Sequence, residues 1–264
     1  MIVAGCDVGS RTGKVVLMEG GRVLGWQIVS RSVNFGETAR EAFEGALARA
    51  GLVRDDVGYV IGTGYGKGRI SFARDSATEI ACQSAGAAWI EPRVRTVIDM
   101  GGQDCKVLRT DGRGLVSDFV VNDKCASGTG RFLEDIARIL EVGLEEMGAL
   151  SLEATAPVSI SAQCSVFAKS EVVSLIAERK AVRDILAGIH EAVVRRLVTL
   201  VHRLGLEEPV LFSGGVAKNA GLVRRVNERL GIVLGSPTVD PQVIGALGAA
   251  LLAQRAAGNG ALKE

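Results

Sequence analysis

Short apolar runs bounded by glycine turns occur at the start of the chain and again near residue 100. Such runs predict β-hairpins. Further along, the apolar spacing becomes helical. Strands that alternate with helices in this way predict an α/β fold. The four runs that define the two hairpins are Ile2–Cys6 and Val15–Met18 in the first region, and Thr96–Ile98 and Val107–Leu108 in the second.

The two hairpin regions also match each other residue by residue. The first reads DVGSRTGKVVLMEGG and the second reads DMGGQDCKVLRTDG. Glycines let a backbone approach phosphate oxygens closely, and consecutive N–H groups can point at them. An acidic residue at a strand end can hold Mg²⁺, usually through water. Two ordinary hairpins are the alternative, but a matched pair favours phosphate binding. Neither region has the Walker or Rossmann glycine pattern. The matching positions are Asp7, Gly9, Lys14 and Gly20 in the first region, and Asp99, Gly101, Lys106 and Gly112 in the second.

Two later segments combine glycine with apolar residues. The run from Val210 predicts a buried strand, a Gly214-Gly215 turn and the start of a helix. Adjacent glycines leave room for a purine or a ribose against the backbone, although an ordinary strand-to-helix turn is the alternative. After Pro241, small residues at helical spacing predict a C-terminal helix packed tightly on a sheet. Gln242 is the exception and is expected near the adenine base.

Two of the five cysteines, Cys125 and Cys164, stand just ahead of stretches with helical periodicity, and Ser165 is the expected N-cap of the second helix. A helix N-terminus stabilises a thiolate through its unpaired N–H groups and its dipole. Two thiolates are half the ligand set of an iron–sulfur cluster, which normally takes four. The apolar positions are Phe132, Ile136, Ile139 and Leu140 in the first helix, and Phe167, Val172, Val173, Leu175 and Ile176 in the second.

Other interpretations of the cysteines remain open. An isolated intracellular cysteine is often a small buried residue. Zinc is a competing metal, but zinc sites usually show paired cysteines or histidines, and His190 and His202 lie in an unrelated helical pattern. Cys6, Cys82 and Cys105 lie in a strand, an alanine-rich helix and the second phosphate loop, and we expect them to be structural.

Composition narrows the class of protein. The chain has 264 residues, which predicts two lobes, and 47% of them are hydrophobic, enough for a large core. The net charge of +1 implies neither nucleic acid nor an anionic membrane as a partner. Met1 leads directly into the first apolar run without a signal-peptide pattern, and no apolar run is long enough to span a bilayer. Scattered cysteines, odd in number, argue against a secreted disulfide scaffold and favour the reducing cytoplasm.

Seven motifs, taken in order along nearly the whole chain, resemble a known family. They are DVGSRTGK, GTGYGK, VIDMGGQDCKV, NDKCASGTGRFLE, CSVFAKSEV, SGGVAKN and GALGAAL. They are similar to the acetate-and-sugar-kinase/Hsp70/actin superfamily, within it to the BadF/BadG/BcrA/BcrD ATPase family, and most narrowly to the activators (component A) of 2-hydroxyacyl-CoA dehydratases. The resemblance implies two ribonuclease-H-like lobes with nucleotide in the cleft. Lobe I would hold residues 1–94 and 245–264, and lobe II would hold residues 95–244.

The same resemblance implies an ATP-driven electron carrier. The protein would be a homodimer with one [4Fe-4S] cluster held by Cys125 and Cys164 of each subunit. A ferredoxin or a flavodoxin would reduce it, and hydrolysis of ATP with Mg²⁺ would drive transfer to a partner iron–sulfur protein. That partner would be a 2-hydroxyacyl-CoA dehydratase, a benzoyl-CoA-reductase-like system or a double-cubane cluster protein.

Carried onto this sequence, the motifs imply roles for single residues. Asp7 and Asp99 would organise Mg²⁺ and the attacking water. Arg11 departs from the pattern, because a smaller residue is expected there, and the signature Gly62-Thr63-Gly64-Tyr65-Gly66 is either a site loop or a glycine turn. The remaining contacts would be Ser10, Arg11, Thr12, Gly13 and Lys14 with the β- and γ-phosphates, Gly101, Gly102, Gln103 and Asp104 in the second phosphate loop, and Gly214, Gly215 and Gln242 with adenosine.

Two other functions fit the same superfamily. A small-molecule kinase would use Asp99 as a base toward an acceptor. A nucleotide-switched module of the actin or chaperone type would need no iron. The short chain and the cysteine pair favour the electron carrier over both.

Overall fold

The structure is a computed structural model that describes residues 1–122, 128–161, 164–235 and 237–260. Strands and helices alternate through most of the chain. The strands are β1 (Ile2–Val8), β2 (Thr12–Glu19), β3 (Arg22–Ser30), β4 (Val57–Thr63), β5 (Asp75–Ser76), β6 (Thr96–Met100), β7 (Cys105–Thr110), β8 (Val116–Asn122) and β9 (Val210–Ser213). The helices are α1 (Phe35–Ala50), α2 (Glu79–Ile90), α3 (Gly130–Leu140), α4 (Met147–Leu152), α5 (Ser165–Ala177), α6 (Val182–Leu204), α7 (Ala220–Leu230) and α8 (Ile244–Gly260).

The chain divides into two compact units. Unit 1 consists of Met1–Val97, Thr110–Ser117 and Pro237–Glu264, and unit 2 consists of Ile98–Arg109 and Asp118–Ser236. The five-stranded sheet has the order β3-β2-β1-β4-β5, and the four-stranded sheet has the order β8-β7-β6-β9. The hairpins expected from the sequence are therefore present as β1–β2 in the first sheet and β6–β7 in the second. Among the described residues, no helix is long and apolar enough to cross a membrane.

The sheet of unit 1 is covered on both faces. Successive side chains of a strand point to opposite faces, so β1 and β2 contribute to two separate cores. Ala4, Cys6 and Val8 pack with α1. Val3 packs with α8 on the other face. Helix α1 begins where the Asn34 side chain accepts hydrogen bonds from two first-turn amides, as an N-cap does.

Helix α8 approaches its neighbours through glycine and alanine, as its small-residue spacing predicts. A Cβ atom at Gly248 would lie 1.7 Å from the carbonyl oxygen of Cys82 in α2, and one at Gly86 of α2 would lie 2.2 Å from the carbonyl oxygen of Ile244. On the sheet side, a Cβ atom at Gly5 of β1 would lie 2.0 Å from the carbonyl oxygen of Ala246. Backbones this close leave no space for a side chain, so the three glycines set the packing distance.

Unit 2 is built around α6, a helix of 23 residues. Its apolar side chains pack with Ile98 and Phe212 of the sheet and with α3 and α7. In α3 the expected apolar face is confirmed, since three of its four residues are buried and Ile139 packs against the same core.

Helix α5 differs from the prediction in two respects. The N-cap is Cys164 rather than Ser165, because Cys164 has an extended backbone (φ −85°, ψ 135°) and the helix begins at Ser165. The apolar residues of α5 also do not form one face. Val172 is buried, whereas Phe167 and Val173 are exposed to 69% and 54%.

The packing of α8 gives a prediction for stability. Changing Gly248→Ala should lower the free energy of unfolding by about 3 kcal/mol, because the new methyl group overlaps backbone that cannot move independently. The matched control is Gly258→Ala in the same helix, where a Cβ atom meets nothing within 4 Å. There alanine should raise stability by about 0.5 kcal/mol through helix propensity. Urea unfolding measures both, and equal effects would contradict the packing argument.

Candidate functional site

The first phosphate loop predicted from the sequence is the turn between β1 and β2. Asp7 pairs with Lys14 in the antiparallel register of these strands. The Lys14 ammonium lies 3.1 Å from Oδ2 of Asp7, and both side chains are almost fully buried. The Gly9 amide donates to the carbonyl oxygen of Thr12 at 3.0 Å and closes the turn. The loop therefore presents an acidic and a basic group that are fixed by each other.

The second loop repeats this arrangement in unit 2. The Gly101 amide donates to the carbonyl oxygen of Asp104 at 3.0 Å, which is the counterpart of the bond from Gly9 to Thr12. The Lys106 ammonium lies 3.7 Å from Oδ2 of Asp99 and 2.7 Å from Oδ2 of Asp104. The repeat seen in the sequence thus extends to the hydrogen bond that closes each turn. The second loop differs in that its lysine has an additional carboxylate partner.

In each unit a glycine with positive φ packs directly on the acidic residue. Gly64 (φ +86°) follows β4, and a Cβ atom there would lie 2.4 Å from Oδ1 of Asp7. Gly214 (φ +84°) follows β9, and a Cβ atom there would lie 2.9 Å from Oδ1 of Asp99. Only glycine combines this backbone conformation with such close contact. The GTGYG signature, which the sequence left open, is therefore part of the surroundings of Asp7.

Other groups beside the two carboxylates were not identified from the sequence. A Cβ atom at Gly245 would lie 3.2 Å from both Oδ2 of Asp7 and Nε2 of Gln83. The Ser213 hydroxyl donates to Oδ1 of Asp99 at 3.2 Å. These residues are far from the aspartates along the chain, and no local pattern marks them.

The remaining nucleotide residues expected from the sequence fall in different places. The carbonyl oxygen of Ser10 accepts from Nε of Arg31 at 2.7 Å, and Arg11 is exposed. Gly214 and Gly215 belong to unit 2, where Gly215 begins a short 3₁₀ helix. Gln242 belongs to unit 1, and its amide donates to Oδ1 of Asp240 at 2.9 Å.

A buried polar network holds the end of the glycine loop in unit 2. The Ser151 hydroxyl donates to the carbonyl oxygen of Gly148 at 2.8 Å and lies 2.8 Å from Nδ1 of His190. Because that hydroxyl proton is already used, Nδ1 of His190 donates, and Nε2 accepts from Nδ2 of Asn219 at 3.2 Å. Asn219 also caps α7 through its Oδ1. The network therefore fixes the residue where the SGGVAKN motif ends.

Burial lowers the pKa of His190 to about 3, with the charge of Arg225 as a smaller cause. The unfolded chain would bind a proton at an ordinary histidine pKa, so acid favours unfolding. The stability that neutral His190 contributes is fully present above the pKa of histidine in the unfolded chain. It is lost as the pH falls toward the pKa of His190 in the folded protein. Relative to a His190→Gln variant, the wild-type protein should lose about 1.5 kcal/mol of stability between about pH 6.5 and pH 5. Urea midpoints of both proteins at several pH values measure this, and parallel pH profiles would contradict it.

The cysteines fall into two environments. Cys6, Cys82 and Cys105 are buried, as expected, and Cys164 is exposed. Burial raises the pKa of Cys82 to about 12 and raises the pKa of Cys6 and Cys105 still further. Cys125, the other expected ligand, lies outside the described residues. Among the residues that the structure describes, no three His, Cys, Asp or Glu side chains cluster as a metal site would.

The two helices that follow the cysteine segments are joined by an ion pair. Nζ of Lys169 in α5 lies 2.5 Å from Oδ2 of Asp135 in α3. The hydrogen bond from Lys169 holds the pKa of Asp135 below its usual range. This contact fixes α3 and α5 against each other within unit 2.

The fold is that of the actin/Hsp70/sugar-kinase superfamily. Two solved structures show the fold at low identity. They are an ethanolamine utilization protein, EutJ, from Carboxydothermus hydrogenoformans (15% identical, TM-score 0.61, covering 95% of this chain and 90% of that one) and a ROK family glucokinase from Streptomyces griseus (13% identical, TM-score 0.56, covering 97% and 100%). Residues 4–253 match the BadF/BadG/BcrA/BcrD ATPase family, and the chain belongs to that family.

Two relatives of higher identity are activators of dehydratases. An activator of 2-hydroxyisocaproyl-CoA dehydratase from Clostridioides difficile is 41% identical over 96% of this chain and 95% of its own. An activator of lactoyl-CoA dehydratase from Anaerotignum propionicum is 43% identical over 97% and 99%. The solved structure of the activator of the 2-hydroxyisocaproyl-CoA dehydratase from Clostridium difficile, with bound ADPNP, has a TM-score of 0.95 at 39% identity and covers 100% of this chain and 98% of that one.

Proposed function

We propose that this chain is an ATP-hydrolysing activator that delivers a low-potential electron to a partner iron–sulfur enzyme such as a 2-hydroxyacyl-CoA dehydratase. It would work as a homodimer in the reducing cytoplasm and would take its electron from a ferredoxin or a flavodoxin. The similarity to dehydratase activators along almost the whole chain supports this proposal. The proposed function does not depend on the low-identity similarity to a glucokinase, because that similarity shows the fold alone.

The observation that carries the proposal is the contrast among the cysteines. Three thiols are buried in apolar surroundings, where a thiolate is costly, and Cys164 is exposed at the N-terminus of α5. A thiolate at that position faces the positive end of the helix dipole. The exposed Cys164 therefore fits a cluster ligand, and Cys125 would supply the second ligand of each subunit. When bound, a [4Fe-4S] cluster would supply a one-electron carrier.

The surface of α5 supports a second copy as the partner at this site. Val166 and Phe167, in its first turn, are exposed to 63% and 69%, and Val173 and Ile176 are exposed further along. Large apolar side chains left in water beside a cysteine favour contact with another chain. Two copies related by a two-fold axis would bring two such turns together.

The two loops would bind and hydrolyse ATP. Backbone N–H groups of Ser10–Gly13 and Gly102–Asp104 would contact the phosphates, while Lys14 and Lys106 balance the charge of the acidic groups. Asp7 and Asp99 would hold Mg²⁺ and orient the attacking water, and Gly214, Gly215 and Gln242 would contact adenosine. Hydrolysis of this kind depends on positioning and electrostatics and needs no covalent nucleophile.

Changing either proposed ligand should remove iron. Cys164→Ser and Cys125→Ser should each lose the iron and the brown absorbance of the anaerobically purified protein while nucleotide affinity is kept. Cys82→Ala is the matched control, because Cys82 is buried in α2 and should leave iron unchanged. Iron analysis and EPR measure the result. Iron retained in either ligand variant would remove that residue from the assignment.

The acidic residue of the second loop should control hydrolysis. Asp99→Asn keeps the shape of the side chain but removes its charge, and we expect kcat for ATP hydrolysis to fall about 100-fold. Iron content should not change. Asp104→Asn tests whether the loss arises only from unbalancing Lys106, since Asp104 is the nearer partner of that ammonium. It should cause the smaller loss in a steady-state phosphate-release assay. Equal losses would contradict a direct role for Asp99.

The identity of the partner separates this function from a related one. A component of the benzoyl-CoA reductase of Thauera aromatica is 34% identical over 95% of this chain and 92% of its own. A reductase component of that kind, or of a double-cubane cluster protein, is the second candidate. Anaerobic co-purification with the full-length protein, followed by an ATP-dependent electron-transfer assay with each captured partner, distinguishes them.

A further inference from the structure

The first turn of α3 is bonded to the second phosphate loop. The Gly130 amide donates to the carbonyl oxygen of Gly101 at 2.9 Å, and the Arg131 amide donates to the carbonyl oxygen of Gly102 at 2.9 Å. The opening amides of a helix lack partners within the helix and are usually satisfied by a capping side chain or by water. Here two consecutive amides of α3 meet two consecutive carbonyls of the loop. We call these two hydrogen bonds the α3 latch.

Gly130 is also in tight steric contact with the loop. A Cβ atom there would lie 3.2 Å from the carbonyl oxygen of Gly101 and 3.5 Å from Cα of Gly102. It would also lie 3.5 Å from Cγ2 of Val216, in the 3₁₀ helix that follows Gly214. Gly130 is therefore the point where α3 touches both glycine loops of unit 2.

The latch shares its peptide groups with the proposed phosphate site. A trans peptide is planar, so its N–H points opposite to its C=O. The C=O of Gly101 is bonded to α3, which directs the N–H of Gly102 away from α3. The same relation holds for the C=O of Gly102 and the N–H of Gln103. An anion bound on the N–H side polarises both peptides and strengthens the bonds on the carbonyl side.

We propose that Gly130 is a positioning residue that couples the nucleotide state to the start of α3, through the α3 latch. The inference rests on the proposed function, because it assigns the route between the two sites of that function. Phosphate bound at Gly102 and Gln103 tightens the latch, and its loss relaxes the start of α3. The ion pair between Asp135 and Lys169 extends the same displacement to α5, which begins after Cys164.

The chain offers a matched pair of variants two residues apart. Gly130→Ala places a methyl group against the Gly101 carbonyl, although alanine favours a helix by itself. Gly128→Ala places the same group where its nearest neighbours are 3.8 Å or more away. Gly130→Pro deletes the amide of the latch. Proline suits the first position of a helix, and Thr129 before it is already extended.

The first measurement needs neither a variant nor iron. Amide-resolved hydrogen exchange by NMR, on the full chain with ADP and with ADPNP, should show Gly130 and Arg131 about fivefold better protected with ADPNP, the effect of one net hydrogen bond. Equal protection in the two states would overturn the coupling. An iron-free wild-type protein would contradict the proposed function, whereas the exchange difference decides the coupling independently.

The second measurement separates positioning from a merely structural role. In Gly130→Ala and Gly130→Pro the exchange difference between ADPNP and ADP at Arg131 should disappear. Iron content should stay within about twofold of wild type, whereas the affinity for ADPNP relative to ADP should fall by up to about fivefold, because a bond that the nucleotide strengthens must in turn favour binding of that nucleotide. Gly128→Ala should behave as wild type. If Gly130→Ala matches Gly128→Ala in these readouts, or if exchange rises equally in both nucleotide states, the assignment is overturned.

Discussion

The buried pairing of a carboxylate with an ammonium group is the constraint on which each of the two candidate phosphate loops depends. Asp7 with Lys14, and Asp99 with Lys106, place opposite charges at the ends of central strands. A buried charge is tolerated only with a close partner, so each pair keeps its aspartate in position. The turn between the two residues is short and is closed by one backbone hydrogen bond.

Much of this arrangement could be predicted from the sequence, because its determinants are local. The repeated Asp, Gly and Lys positions lie within one hairpin, where strand register alone brings the aspartate opposite the lysine. Cys6, Cys82 and Cys105 were expected to be structural, and all three are buried.

What the sequence did not predict depends on contacts between distant segments. Gly64 and Gly214 each complete the surroundings of an aspartate that precedes them by a whole strand or more. His190 lies in a helix, as its pattern predicts, but no spacing rule connects it to its hydrogen-bond partners Ser151 and Asn219. On α5, the error in the apolar face has a different origin. Helical periodicity does not tell which apolar side chains face the core and which face another molecule.

The place of α8 in the first unit has a consequence for synthesis on the ribosome. Strands β1 and β2 precede the other elements of the fold, but α8, which helps to cover one of their two apolar faces, follows all of them. Unit 2 is formed from nearly contiguous sequence, so it can fold before α8 has been made. Exposed strand surface in a nascent chain is prone to aggregation, and contacts distant in sequence form slowly. The first strands of the fold are thus among the last to be covered, and a chaperone that binds exposed apolar strands would protect them until α8 is made.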